Sequence, residues 1–313
     1  KYTNHEILQS LFNLKRWSEV THDREFRREF KELAGIPRIL KFLNAPSNMA
    51  NVKCVILVCI IIGNCIYYRK NGELIDNGRA IANQFIERDG ILSMLLINEK
   101  YSGGNDPLEL RAVWNIWAAV ATVSIRSTVA IDRDTTFRIF DDALATLRLM
   151  NGVKHDFSVP LIIFRIFGTL WGLIYNNTAL INAGDFEAMN FYQTCVDAMK
   201  NSSSDWEYNV WDQAAKLFSL CFENNLFSTQ NNNNLKLVVS FHVEYIKRTP
   251  NDAFKSKAFT FLHKACNVIG NTEMISIPGL MSSLMATIGS ILDPITSNGI
   301  EDGTKYAAKE LYR

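Results

Sequence analysis

Apolar residues recur along this chain at intervals of three and four, which is the pattern of α-helices that bury one side. The most apolar segment, 158–177, predicts a helix that is buried over most of its surface. Four polar or small residues follow one another at steps of four, three and four, on one face of that helix: Arg165, Thr169, Gly172 and Asn176. Because no run of alternating strand character stands out, the pattern predicts an all-α fold.

The N-terminal part of the chain sets out an order of helices that returns later. A helix is predicted over 5–18, with Asn4 as its cap, and a strongly charged helix over 23–33. A Gly-Ile-Pro break then begins a new helix, because Pro37 fits a first helical turn. After a polar loop, a long buried helix is predicted over 49–69.

The same order of a shorter helix, a polar loop and a longer apolar helix returns along the rest of the chain. Further helices are predicted over 85–96, 107–120, 140–147, 186–199, 206–224, 235–246, 252–271 and 278–291. Asp106 caps one of these helices, and Asp141 and Asp142 are typical of a helix start. The asparagine run 231–234 predicts a surface loop between repeats.

Segment 34–43, Ala-Gly-Ile-Pro-Arg-Ile-Leu-Lys-Phe-Leu, resembles the second helix of the armadillo repeat, and 60–65 resembles the end of its third helix near an asparagine. The positions matching that asparagine are separated by 58, 54, 48 and 47 residues: Asn64, Thr122, Asn176, Asn224 and Asn271. Armadillo and HEAT repeats have periods of about 40 to 47 residues. The resemblance implies a right-handed α-solenoid of five to six degenerate armadillo-like repeats, a single domain over 1–313.

The third helices of such repeats line a concave groove, and the resemblance implies which residues face it here. Eleven residues before the first three asparagine-like positions stand three basic residues: Lys53, Arg111 and Arg165. The predicted partner-binding residues of the groove are Lys53, Asn64, Arg111, Asn115, Thr122, Arg165, Thr169, Asn176, Asn224 and Asn271. The alternative interpretation is that these are ordinary polar residues near helix starts.

Candidate catalytic chemistry is sparse. The chain lacks the motifs of serine hydrolases, nucleotide-binding enzymes and zinc proteases. Its five histidines are dispersed and are not spaced with cysteines as zinc ligands would be. The sequence therefore predicts a protein that is not an enzyme and that has no metal or cofactor. Five tryptophans on third helices are predicted to pack in the core: Trp114, Trp117, Trp171, Trp206 and Trp211.

Net charge, cysteine placement and the lengths of apolar runs restrict the binding partners and the cellular location that the sequence predicts. The net charge of +1 predicts no bulk attraction to nucleic acid or to an anionic membrane. All six cysteines lie in apolar helical patterns, which predicts buried, reduced thiols and a cytoplasmic or nuclear location. The longest apolar runs, 54–62 and 159–164, are shorter than the about 20 residues that span a bilayer, which predicts no transmembrane segment.

These observations predict a protein–protein interaction module that binds an extended segment, acidic or phosphorylated, along its concave groove. The alternative is a regulatory or autoinhibitory domain of a larger signalling protein or enzyme, because the two termini predict a fragment of a longer chain. Nucleic-acid binding is a third class, which the near-zero net charge disfavours.

Overall fold

The computed structural model describes residues 3–19, 24–66, 69–70, 73–74, 76–153, 156–200, 207–228, 232–248 and 252–270, together with 282, 285, 288 and 289. These residues are helical apart from turns and one ladder of two-residue strands, so the prediction of an all-α fold is confirmed. By its internal contacts the chain divides into two compact units, Lys1–Leu180 and Ile181–Arg313. A single repeat domain over the whole chain stays a prediction.

The first unit has ten α-helices among its described residues. They are α1 (Asn4–Glu19), α2 (Arg24–Glu32), α3 (Gly35–Leu43), α4 (Pro46–Met49), α5 (Val52–Ile66), α6 (Asp76–Glu87), α7 (Gly90–Tyr101), α8 (Pro107–Arg126), α9 (Arg133–Met150) and α10 (Ser158–Asn177). Between α5 and α6, strand β1 (Arg69–Lys70) pairs antiparallel with β2 (Glu73–Leu74). A short 3-10 helix, Thr178–Leu180, follows α10.

The second unit has five α-helices among its described residues: α11 (Ala183–Ala188), α12 (Phe191–Lys200), α13 (Glu207–Glu223), α14 (Asn233–Arg248) and α15 (Asp252–Ile269). Its core contains several stacked aromatic rings. The Phe186 and Phe191 rings stack at 4.1 Å between centroids, and Trp211 stacks on Phe241 at 4.8 Å. The predicted helix over 278–291 lies outside the described residues except for its helical positions 282, 285, 288 and 289.

Four long helices of the first unit lie side by side. Helix α5 packs against α1 and α8, and α8 packs against α5 and α10. Near the C-terminal ends of these helices the contacts repeat: Asn64 on α5 donates to the Ser18 hydroxyl on α1 at 3.2 Å, and Asn176 on α10 donates to the Ser124 carbonyl on α8 at 2.7 Å. Helices α3, α6, α7 and α9 pack against members of this row.

A tight junction between two helices recurs three times. In each case one residue takes the left-handed conformation, with φ of 52° at Ala34, 54° at Asp89 and 53° at Asn190. Each of these residues stands four positions after a buried phenylalanine: Phe30, Phe85 and Phe186. The left-handed residue stops the helix, and the buried ring fixes the next helix against the first.

These junctions overturn two sequence predictions. A continuous helix was expected over 85–96 and another over 186–199, whereas the chain turns at Asp89 and at Asn190 and begins a new helix after each. Helical periodicity continues through both turns because the apolar residues on either side face one core. The periodicity alone therefore hides the break.

Other predicted boundaries need smaller corrections. The helix over 49–69 is divided, because α4 ends at Met49 and Asn51 caps α5 by accepting from two backbone amides. Thr3, and not Asn4, caps α1, since its hydroxyl accepts from the Glu6 amide at 3.3 Å. Asp141 and Asp142 lie in the middle of α9, which Asp132 caps.

Predictions elsewhere have mixed outcomes. The bounds of α10 agree with the predicted 158–177. Asp106 caps α8 as predicted, accepting from the amides of Leu108 and Glu109. The run 231–234 is not entirely a loop, because α14 begins within it at Asn233.

Candidate binding cleft

A cleft of about 520 Å³ opens between α1, α5 and α8 in the first unit. Eleven residues line it: His5, Leu8, Gln9, Phe12 and Lys15 from α1; Lys53, Ile56, Leu57 and Ile60 from α5; and Leu108 and Arg111 from α8. All three helices contribute to the lining because α1 and α8 both pack against the same central helix, α5. The volume lies within the about 300 to 1,000 Å³ typical of ligand sites.

The two basic residues of α5 and α8 come together because both helices begin at the same end of the row. Lys53 stands in the first turn of α5, and Arg111 stands in the second turn of α8. Both side chains are exposed, and no carboxylate oxygen among the described residues lies within 4 Å of either cationic group. They are the two members of the predicted basic series that share one surface.

Lys15 adds a third cation from the opposite wall. Its ammonium group pairs with Glu19 one turn along α1 and lies 5.9 Å from the centre of the Phe12 ring. Lys15 is half-buried and Glu19 is exposed, so Glu19 competes with any other anion for this ammonium group. The lining itself contains no carboxylate.

The floor of the cleft is apolar. Ile56 is buried, while Leu57 and Ile60 are half-buried and face the opening. Phe12 on the α1 wall is 46% exposed, so part of its ring remains open to a ligand. The arrangement suits a ligand that brings an apolar group to the floor and an anion to the rim.

Arg165, the third predicted basic residue, does not line this cleft. Its guanidinium carbon lies 5.5 Å from the ring centre of the preceding Phe164, and its carbonyl accepts from the Thr169 hydroxyl at 3.0 Å. Of the three predicted basic residues, the cleft therefore brings together Lys53 and Arg111, and a partner-binding role for Arg165 stays a prediction. The eleven-residue offset falls in the first two turns of α5 and α8, but Arg165 is the eighth residue of α10.

Several other predicted groove residues satisfy their own helices. Asn115 and Thr169 are buried, and their side chains donate to the carbonyls of Arg111 and Arg165. Thr169 is completely buried, so the structure gives it a packing role and leaves no surface for a partner. Two further side chains make the same bond to the carbonyl four residues earlier: Thr122 and Asn224.

Two asparagines of the predicted groove make hydrogen bonds between helices, and their role in partner binding stays a prediction. Asn64 and Asn176 tie their helices to the preceding helix of the row, through Ser18 and Ser124. Asn64 is half-buried and Asn176 is exposed, and each bond joins its helix to a neighbouring helix of the row. Asn271 lies outside the described residues, as does Trp206.

Sequence reasoning missed the contribution of α1. His5, Gln9, Phe12 and Lys15 follow one another at steps of four, three and three, a helical face that the sequence displays as plainly as the others. Offsets counted back from the asparagines of third helices do not reach this face, because α1 precedes the first of them. Its polar and aromatic residues supply one complete wall of the cleft.

The cysteines are reduced and mostly inaccessible, as predicted. All six are free thiols; five are buried and Cys266 is half-buried. Burial raises the pKa of Cys59 and of Cys65 to about 12, so both remain protonated at neutral pH. Of the tryptophans predicted to pack in the core, Trp117 and Trp211 are buried, whereas Trp114 and Trp171 are half-buried.

The described residues contain no candidate metal centre, and they include two helices whose length and composition would allow them to cross a membrane. No group of three or more histidine, cysteine or acidic side chains stands within reach of one ion in that part of the chain. By length and composition, α8 and the segment Ser158–Leu180 are apolar enough to cross a membrane. In this structure 61% and 72% of these windows are buried against protein, as in core helices.

Comparison with protein families and curated proteins does not assign this chain to a family. Neither the protein-family models nor the curated proteins yield a match to this chain. What is inferred about function therefore depends on the cleft and its chemistry.

Proposed function

We propose that this protein is a non-enzymatic interaction module that binds an extended acidic segment of a partner protein. The observation that carries the proposal is the cleft between α1, α5 and α8, in which Lys53 and Arg111 stand without carboxylate partners in the described part of the chain, above an apolar floor. Like charges repel one another, so an unpaired basic pair at a concave site is stabilised when an anion binds. Carboxylates and phosphates both supply that anion.

The proposed architecture is a right-handed α-solenoid of five to six armadillo-like repeats. Two findings support it: the junction with a left-handed residue recurs at Ala34, Asp89 and Asn190, and four helices of the first unit lie side by side. Repeats of this kind stack so that each contacts its neighbours, and their long helices form an extended binding surface. Such modules act as scaffolds or adaptors, in the cytoplasm or the nucleus.

The strength of the interaction follows from the position of the two cations. A charge-assisted hydrogen bond that is partly shielded from water contributes about 1.5 to 3 kcal/mol. A fully exposed ion pair contributes about 0 to 1 kcal/mol. We place the cleft between these limits because Lys53 and Arg111 are exposed but stand beside the apolar side chains of the floor.

Peptide selection tests the proposal directly, since random peptides stand in for the partner. A displayed library of random twelve-residue peptides is selected on the wild-type chain and on the Lys53→Glu/Arg111→Glu variant. We expect aspartate and glutamate to be enriched with the wild-type chain and lost with the variant. Arg38→Glu/Lys41→Glu is the matched control, since it makes the same change in charge at two exposed residues of α3 outside the cleft.

The proposal fails if the wild-type chain selects peptides without acidic enrichment. It also fails if the cleft variant and the α3 control select the same acidic peptides, because binding would then depend on net charge and not on the cleft.

A further inference from the structure

We infer that the cleft anchors one bulky apolar side chain, of leucine, methionine or phenylalanine, that stands directly beside acidic residues in the bound segment. This inference rests on the proposed function and adds the chemistry of the anchor. The juxtaposition that carries it is an apolar floor, formed by Ile56, Leu57 and Ile60, beneath a rim with three cations from three helices.

Helix α1 makes the site a pocket with two walls. It packs along α5, which α8 also contacts, and Ser18 at its far end accepts from Asn64 of α5. This bond matches the one between α8 and α10, so α1 takes the place of a preceding helix in the row. An extended segment lying across α5 therefore meets a wall on each side, and a side chain pointing inward reaches the floor between them.

The floor has apolar surface that a ligand can cover. Leu57 and Ile60 are only half-buried, and Phe12 on the α1 wall is 46% exposed. Burying an aliphatic or aromatic side chain against such a surface strengthens binding by about tenfold to a hundredfold. A segment with acidic residues alone forgoes that gain, because its charged side chains stay at the rim.

The rim determines what stands beside the anchor. Lys15, Lys53 and Arg111 come from the three different helices, and because Glu19 already pairs with Lys15, a ligand anion is recognised chiefly by Lys53 and Arg111. A basic segment would bring like charges together above the floor, whereas glutamate or aspartate next to the anchor reaches the cations while the apolar side chain enters. The preferred segment is therefore acidic on both sides of a single large apolar residue.

Three fluorescein-labelled peptides of twelve residues test the anchor, with fluorescence anisotropy on the whole chain as the readout. The first has a central phenylalanine with two glutamates on each side in a Gly-Ser background. The second replaces the phenylalanine by alanine, and the third replaces the glutamates by glutamine. We expect the first peptide to bind at least tenfold more tightly than either of the others.

Substitutions in the floor locate the anchor. Leu57→Asp should weaken binding of the first peptide at least tenfold, because it places a carboxylate where the ring enters. Leu96→Asp on α7 is the control, since Leu96 is 54% exposed and lies outside the cleft. Phe12→Ser is a second test that spares the core, and circular dichroism verifies that each variant is folded.

The outcomes separate the anchor from the proposed function. Equal binding of the phenylalanine and alanine peptides, with both lost in Lys53→Glu/Arg111→Glu, overturns the anchor and leaves acidic recognition standing. Equal binding of the glutamate and glutamine peptides overturns both. Decanoate is added as a competitor: displacement of the peptide by decanoate at lower concentration than by unlabelled peptide would assign the cleft to a small amphipathic anion and overturn the anchor.

Discussion

Ionisable side chains are exposed and charged in the cleft of the first unit, whereas in the aromatic core of the second unit an ionisable side chain is buried and neutral. Lys53 and Arg111 keep their charges at an exposed rim with no carboxylate partner in the described chain. His242 is completely buried, stacks on Phe261 at 3.9 Å between ring centres, and uses Nδ1 for a 2.8 Å contact with the Val238 carbonyl. The first arrangement leaves charge for a ligand, whereas the second requires that the group stay neutral.

The difference separates functional from structural polar residues. A buried polar group contributes to stability only while it is neutral or paired, so its effect is measured on folding. An exposed unpaired cation contributes almost nothing to folding, so its effect is measured on binding. Variants in the two regions should therefore affect different measurements.

The largest expected effect is on the second unit at acidic pH. Burial lowers the pKa of His242 to about 4 from 6.5, so the unfolded chain takes up a proton before the folded chain does as the pH falls. The stability due to the neutral imidazole is complete above about pH 6.5 and is lost between there and about pH 4, by up to about 3 kcal/mol. Urea unfolding between pH 7 and pH 4.5 measures the loss.

His242→Phe should remove most of this pH dependence, while substitution of the exposed His263 by glutamine should preserve it. An unchanged pH profile in His242→Phe would show that other groups cause the acid sensitivity.

A second prediction contrasts two glycines of the first unit. A Cβ on Gly90 would lie 2.7 Å from the Phe85 ring at the helix junction, so Gly90→Ala should destabilise the protein by about 1 to 3 kcal/mol. A Cβ on Gly63, inside α5, has no neighbour within 4 Å, so Gly63→Ala should stabilise it by up to about 1 kcal/mol. Urea unfolding of both variants tests the signs, and equal effects would argue against the tight junction.

A smaller effect concerns the thiols. Cys266 is half-buried and the other five cysteines are buried, so one thiol should react with a chromogenic disulfide reagent well before the rest. The buried thiols react slowly because the reagent cannot reach them and because burial raises their pKa, as it does for Cys59. Burial also raises the pKa of Cys266, so its faster reaction is due to its greater access to solvent. Cys266→Ser should remove the fast phase; rapid reaction of several thiols in that variant would contradict the packing described.

The sequence predicted helices better than it predicted turns and neighbours. The bounds of α10 followed from a long apolar segment, and the fixed offset named Lys53 and Arg111 as members of a basic series without pairing them. Helical offsets are local and therefore visible in a sequence. The breaks at Asp89 and Asn190 were missed because a single left-handed residue leaves the apolar period intact.

The α1 wall of the cleft could not be predicted from the sequence, because it depends on how helices that are distant in the chain pack together. Thr169 stands on the predicted polar face, yet it is buried and bonded to its own helix, since a hydroxyl is small enough to be satisfied by a backbone carbonyl. Conversely, Phe12 and Lys15 became part of the site only because α1 packs beside α5. Which helices are neighbours is not contained in the periodicity of any one of them.

The central claim is that Lys53 and Arg111 form one acidic-segment site, and one titration tests it most directly. The labelled peptide with phenylalanine between glutamates is titrated with the wild-type chain, with Lys53→Glu/Arg111→Glu, and with the α3 control Arg38→Glu/Lys41→Glu, at low and at high salt. We predict at least tenfold weaker binding for the cleft variant alone, which corresponds to about 1.4 kcal/mol, with a smaller difference at high salt and unchanged thermal unfolding. Wild-type affinity in a folded cleft variant, or equal weakening in the α3 control, would contradict the account.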